Sequence, residues 1–261
     1  MFLIFDTETT GLPRNFNAPL TDSDNWPRMI QLAWQLHDAK GQLLESNSII
    51  VKPDGYTIPI GAVQIHHITT EKALEHGIPL SEALDLFQEV VEKSKYACGH
   101  NINFDKNIIG AEFIRLGLEN CVSPMPVIDT AEETTEFCKL PGGRGGKFKY
   151  PKLGELHSIL FNSDFSEAHN AGFDVEANTR CLFECFKQEI ISRPEVEIDT
   201  TITSYLKSIS NEITKDLLVF ELESSARSGT DEKIISEKTI IQSDTKAKPI
   251  SFVHLRNHSQ Y

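Results

Sequence analysis

Phe2-Leu3-Ile4-Phe5-Asp6-Thr7-Glu8-Thr9-Thr10-Gly11-Leu12 opens the chain with four apolar residues, then two acids two positions apart. Phe2 to Phe5 read as a short buried strand, with Asp6 and Glu8 at its end. Side chains alternate along a strand, so both carboxylates point to one face. Such a pair suits hard cations that take oxygen ligands. Taken alone, Asp-x-Glu is better explained as a solvated turn. Directly after a buried strand and before Thr9-Thr10-Gly11, it is an odd place for exposed acids, and that favours function.

Working outward, residues 29–37 (MIQLAWQLH) and 43–51 (LLESNSIIV) read as two further strands. Asp38 to Gly41 between them have hairpin chemistry. Pro-rich loops surround 53–61. Residues 81–93 begin with a Ser N-cap and repeat apolar residues at helical spacing. Tyr96-Ala97-Cys98 reads as a short buried strand and 126–129 as another, running into Asp129. Residues 104–116, 152–160 and 173–191 read as helices, the last ending before Pro194. Strands first, then strands alternating with helices, predict an α/β or α+β domain around a mixed sheet, ending near residue 192. The remainder changes character. Residues 193–250 are rich in Ser, Thr, Glu and Lys. The apolar spacing of 202–221 allows a helix, while 222–249 reads as flexible linker.

The 261 residues carry 25 Lys and Arg against 38 Asp and Glu, a net charge of −13. That argues against holding nucleic acid by bulk positive charge. It leaves open a site that grips phosphates through bound cations, because carboxylates build such a site. The surplus of acid lies in residues 1–186. No apolar run is long enough to cross a bilayer, and no basic region precedes the opening apolar run, so neither a membrane span nor a secretory signal is expected. Five cysteines (98, 121, 138, 181 and 185) form no CxxC pair and read as reduced thiols of a cytoplasmic protein. Cys181 and Cys185, one helical turn apart, read as helix packing.

Two more acidic clusters follow. His100-Asn101-Ile102-Asn103-Phe104-Asp105 places Asp105 in the opening turn of a helix, where capping and the helix dipole would explain it. Ala168-His169-Asn170-Ala171-Gly172-Phe173-Asp174 repeats the pattern with His169 five residues earlier. The order of the three blocks changes their meaning. Asp-x-Glu, then Asp, then His-x4-Asp resembles the DnaQ-like (DEDDh) 3′–5′ exonucleases. Ile65-His66-His67-Ile68-Thr69 resembles that family's Ile-His-Gly-Ile-Thr, with His67 where Gly is usual. Val127-Ile128-Asp129-Thr130 and Pro151-Lys152-Leu153-x-Glu155-Leu156 resemble its connecting pieces. The resemblance covers roughly residues 1–190.

It implies a ribonuclease H-like exonuclease fold, an α/β architecture with a mixed central sheet flanked by helices, followed by a largely flexible tail. It implies that Asp6, Glu8, Asp105 and Asp174 hold two divalent cations, Mg²⁺ or Mn²⁺. Two such cations about 3.5–4 Å apart clamp the attacking and leaving oxygens of a phosphoryl displacement. His169 would be the general base that takes the attacking water's proton. A nucleoside 5′-monophosphate would leave from the 3′ end of DNA. Thr9, Gly11 and Leu12 would shape the pocket for the terminal nucleotide. His66 and Phe104 are contacts by the same analogy, with core packing an equal reading for Phe104. His100 and Asn101 would orient the second block rather than touch metal.

Residues 142–152 (GGRGGKFKYPK) are the one concentrated basic stretch. Arg144, Lys147 and Lys149 interleave with Phe148 and Tyr150, an arrangement that can follow a single strand while its bases stack. An ordinary solvated loop is the competing reading. Residues 252–261 (FVHLRNHSQY) resemble the opening of the PHP domain that begins the α subunit of bacterial DNA polymerase III. Arg256 stands where the metal-binding version has His, so no metal is assigned to His254 or His258. The expected organisation is therefore an exonuclease domain over 1–192, a linker over 193–250, and the start of a PHP domain over 251–261. The implied partners are a single-stranded or frayed 3′ end of DNA and a polymerase III α subunit, in a proofreading role. The alternatives are a free-standing exonuclease on RNA or in repair, and an inactive module that docks a polymerase.

Overall fold

The computed structural model describes residues 1–38, 40–162 and 170–192. His169, the helix expected over 202–221, the linker and the PHP-like end lie outside the described residues. Five strands form one mixed sheet in the order β3-β2-β1-β4-β5. β1 (Phe2–Thr9) is central. It runs antiparallel to β2 (Met29–His37) and parallel to β4 (Tyr96–Gly99). β3 (Leu43–Ile50) pairs antiparallel with β2, and β5 (Val127–Asp129) parallel with β4.

Alternation along β1 sorts its side chains onto two cores. Leu3 and Phe5 join Leu32, Trp34 and Leu36 of β2 on one face. Two helices cover that face: α3 (Leu80–Glu92) through Phe87, and α4 (Asn103–Arg115) through Ile108, Ile109 and Phe113. Before them come α1 (Ile60–His66) and α2 (Thr70–His76), which build a small satellite core with Ile30, Ile58 and Ile68. Phe2 and Ile4 point the other way, with Tyr96, Cys98 and Ile128. After α5 (Thr130–Glu133), α6 (Thr135–Cys138) and α7 (Leu153–Phe161), α8 (Ala171–Lys187), the last helix among the described residues, seals that face with Leu182, Phe183 and Phe186. Each fully buried side chain of this size contributes about 1.5–3 kcal/mol, so helices on both faces fix the sheet.

The hairpin turn forms as expected: Asp38 Oδ1 accepts from Lys40 N at 2.8 Å and Gln42 N at 2.9 Å. Two expectations shift. β1 runs on through Asp6, Thr7 and Glu8 rather than stopping at Phe5. α3 begins at Leu80 behind Pro79, with no side-chain cap, so Ser81 lies inside the first turn instead of capping it. No helix among the described residues is long and apolar enough to cross a membrane.

Candidate active site

Asp6 and Glu8 stand on the α8-facing side of β1, opposite Ala33 and Gln31 of β2. Asn170 caps α8 by accepting a hydrogen bond from Gly172 N at 3.0 Å, and Asp174 follows in the first turn. This brings three carboxylates together. One oxygen each from Asp6, Glu8 and Asp174 lies within 4.8 Å of the others.

Asp105 arrives from the opposite face of the sheet. Gly99 at the end of β4 lets the chain turn closely: a Cβ there would stand 2.7 Å from that of Ile102. α4 then starts under β1, and Asp105 is buried in its opening turn. Its Oδ1 accepts from Thr7 N at 2.9 Å and from Thr7 Oγ1 at 2.6 Å. Thr7 lies between the two metal-candidate acids in sequence but points to the other face. The strand therefore carries Asp6 and Glu8 on one side and a grip on Asp105 on the other.

The electrostatics follow from this crowding. Burial, then the charges of Asp105, Asp174 and Glu8, push the Asp6 carboxyl well above its ordinary value. Burial and then Asp174 raise Glu8 to about 8. Burial raises Asp105 to about 7, although the Thr7 hydrogen bonds pull the other way. Among the described residues no lysine or arginine pairs with Asp6, Glu8 or Asp105. An all-oxygen donor set that repels itself fits a divalent cation, whose charge restores the ionised form of each acid. Such donors suit Mg²⁺ or Mn²⁺, whereas zinc sites favour His and Cys.

The smaller expectations have definite places. Thr9 Oγ1 donates to Gly11 O at 2.6 Å, and Gly11 has φ 152°, tightening the turn after β1. Leu12 is 73% exposed beyond it. His66 is buried, accepts from Ile68 N through Nδ1 at 3.1 Å, and has no hydrogen-bond partner at Nε2. His67 ends α1 with φ 58°, the left-handed region that glycine enters without strain. Phe104 is half-buried against the α4-side core. His100 touches Thr130 Oγ1 at 3.0 Å and Pro151 O at 2.9 Å, while Asn101 N donates to Asp129 Oδ1 at 2.8 Å. Both are spent on holding loops. Cys181 and Cys185 are buried in α8.

The basic stretch folds back on itself. A Cβ at Gly143 would stand 2.3 Å from Phe148 O. Arg144 and Lys147 are exposed, as is Tyr150, while Phe148 is half-buried. Lys149 differs from its neighbours: its Nζ bridges both Glu155 oxygens, at 2.6 and 2.8 Å.

Sequence reasoning did not single out Thr7, Gln31 or Glu112. Gln31 is buried, donates to Ser48 Oγ at 3.0 Å, and accepts from Ala171 N at 3.3 Å at the start of α8. Glu112 lies in α4 between Ala111 and Phe113 and is fully buried. An acid flanked by apolar residues on a buried helix was the available signal.

A family model described as exonuclease matches residues 3–182. Among solved structures, E. coli exonuclease I in complex with a dT13 oligonucleotide is similar at TM-score 0.57 and 22% identity, over 71% of this chain and 40% of that one. Its dA16 complex gives TM-score 0.56 and 20% identity, over 84% and 45%. Its zinc-bound complex with single-stranded DNA gives TM-score 0.55 and 22% identity, over 72% and 40%. At this identity the likeness establishes a common fold. The chain spans less than half the length of that protein. No curated protein sequence matches the chain.

Proposed function

The chain belongs to the exonuclease family, and on that premise we propose that it is a metal-dependent 3′–5′ exonuclease acting on the single-stranded or frayed 3′ end of DNA. The observation that carries this reading is the convergence of Asp6, Glu8 and Asp174 within 4.8 Å, with Asp105, bonded by Thr7, close enough for its charge to raise Asp6 and Glu8. When bound, two divalent cations supply charge to stabilise the attacking and leaving oxygens of phosphodiester hydrolysis.

This chain's residues do the rest. Asp6, Glu8, Asp105 and Asp174 hold the cations. Thr7 keeps Asp105 turned toward β1. His169 takes the proton of the attacking water, since imidazole suits a general base near neutral pH. Thr9, Gly11 and Leu12 receive the terminal nucleotide, with His66 and Phe104 beside them. Arg144 and Lys147 follow the strand's phosphates, and Tyr150 offers a stacking face. Lys149 braces the loop through Glu155. The oligonucleotides bound by E. coli exonuclease I support a single-stranded DNA substrate.

We place this activity in residues 1–192, with 193–250 as linker and 251–261 as the opening of a PHP domain. On that organisation the exonuclease proofreads for a bacterial polymerase III α subunit, in the cytoplasm. The likeness of residues 252–261 to that domain supports this role.

A 3′-mismatched primer–template, its RNA counterpart, and the purified chain with Mg²⁺ or Mn²⁺ test the reading. Metal-dependent release of nucleoside 5′-monophosphates from the DNA 3′ end, with the mismatch removed faster, is the expected result. Preference for RNA would replace DNA as the substrate class, since the 2′-OH is the physical distinction. No hydrolysis of either would favour the docking-module alternative.

A further inference from the structure

Glu112 occupies a position that binding cations does not explain. It is fully buried in α4, two turns beyond Asp105 on the same helix. One of its oxygens, Oε1, accepts from Met29 N at 2.9 Å and Arg28 Nε at 3.0 Å, and pairs with the charge of Arg115 Nη1 at 2.9 Å. Its other oxygen is buried without a hydrogen-bond partner. Arg115 reaches on to the carbonyls of Ser23 and Trp26. Arg28 lies 4.5 Å over the Tyr56 ring. The carboxylate thus fixes the point where the chain re-enters the sheet at β2.

That point is bonded to the segment after the candidate metal acids. Thr10 N donates to Arg28 O at 2.9 Å, and Arg28 N donates to Thr10 Oγ1 at 2.9 Å. The chain of contacts runs from Glu112 through Arg28 to Thr10, and from there into Gly11 and the exposed Leu12. α4 therefore grips β1 and its extension at two places: Asp105 holds Thr7, and Glu112 holds the Arg28–Thr10 pair. A helix rises about 1.5 Å per residue and is stiff, so it acts as a ruler between the two grips.

We propose that Glu112 is a positioning residue, one that sets where the Thr10–Leu12 segment meets the 3′-terminal nucleotide. The inference rests on the proposed reading of Gly11 and Leu12 as part of the nucleotide pocket. Glu112 touches neither substrate nor metal. Its replacement moves the pocket wall relative to the acids while leaving the acids in place. The signature is a rise in KM with little change in kcat, because ground-state and transition-state binding of the terminal base fall together.

The test uses the full chain, Mn²⁺ and a labelled oligothymidylate, and compares Glu112→Gln, Thr10→Val and Leu12→Ala with wild type. Glu112→Gln is expected to raise KM about tenfold, well below the hundredfold that a ~1 Å misplacement can produce. Its kcat and its Mn²⁺ affinity by calorimetry stay near wild type. Thr10→Val removes the hydroxyl that Arg28 N–H bonds and leaves the buried cluster intact. It is expected to raise KM several-fold with its melting temperature unchanged, so the test survives if the Glu112 variant does not fold. Unchanged KM in both variants, with KM raised by Leu12→Ala, overturns the inference and leaves the pocket standing. Unchanged KM in Leu12→Ala overturns the pocket and the inference together. A fall in kcat and melting temperature at constant KM would make Glu112 merely structural.

Discussion

Two buried acids, Asp105 and Glu112, sit at either end of α4, and their surroundings differ. Glu112, near the end of α4, is matched within the chain by Arg28 and Arg115. Asp105, at its start, lies near Asp6 and Glu8: burial and then neighbouring acids raise Asp6 and Glu8, while burial and then the charge of Asp129 raise Asp105. The charge of Glu112 is matched as folded, although its second oxygen has no hydrogen-bond partner. Among the described residues, Asp6, Glu8 and Asp105 have no lysine or arginine to match them. On the readings proposed above, the acid with its own arginines serves position and the acids without them serve chemistry.

The sharpest way to break this contrast is to neutralise one acid in each group. Asp6→Asn should abolish nucleotide release by about a thousandfold or more, since hydrolysis depends on cation-assisted charge stabilisation. His169→Ala should lower kcat by about 10²–10⁴, the range for a lost general base, with Mn²⁺ binding retained. An His169 variant that works as well as wild type would remove that residue from the site.

Stability separates the groups by sign. Glu112→Ala removes the carboxylate that Arg28, Arg115 and Met29 N share and should destabilise by about 3 kcal/mol, read from the denaturant midpoint. Asp6→Asn should instead raise the melting temperature of the metal-free protein, because it relieves repulsion. A lower melting temperature for the Asp6 variant would contradict the electrostatic account.

The pH dependence sharpens the same point. Glu8 is raised from 4.5 to about 8, and Asp105 from 3.8 to about 7, so the fold prefers their protonated forms. Their stabilising contribution is full at acid pH and is lost as pH rises through those values. His37, lowered from 6.5 to about 4 by burial, contributes fully above 6.5 and declines below it. Between pH 6.5 and 8.5 the metal-free melting temperature should therefore fall, on the order of a few degrees. Saturating Mg²⁺ should flatten that slope.

The smallest effect belongs to the basic loop. Replacing Arg144 or Lys147 with Gln should reduce the salt dependence of DNA binding, by about 0.7 in log–log slope for each phosphate contact removed. Lys149→Gln should change it less, since Lys149 is occupied by Glu155.

Much of this was legible in the residues, and the misses have physical causes. β2 and β3 were read closely because apolar runs flank a hairpin turn. β1 was read short because its second half is polar: Asp6, Thr7 and Glu8 are strand residues whose partners are other parts of the site. α1 and α2 were missed because Pro53, Pro59, Gly55 and Gly61 read as loop, and seven-residue helices show little periodicity. The acids Asp6, Glu8 and Asp174 were legible by order, yet the Thr7 grip on Asp105 was not. A threonine in a strand looks like ordinary strand composition, and only tertiary structure shows which face it serves. The same blindness applied to Lys149, whose pairing with Glu155 depends on how a glycine-rich loop returns.

The acid trio has a further consequence, in the order of synthesis. Asp6 and Glu8 belong to the first strand and Asp174 to the last described helix, so the cluster closes a loop across most of the folded domain. Contacts this distant in sequence form late, after local helices and the β2–β3 hairpin. A ribosome-bound chain that has not yet released α8 has two of the three carboxylates of the cluster. On the proposed reading, the cation site stays unassembled until α8 docks.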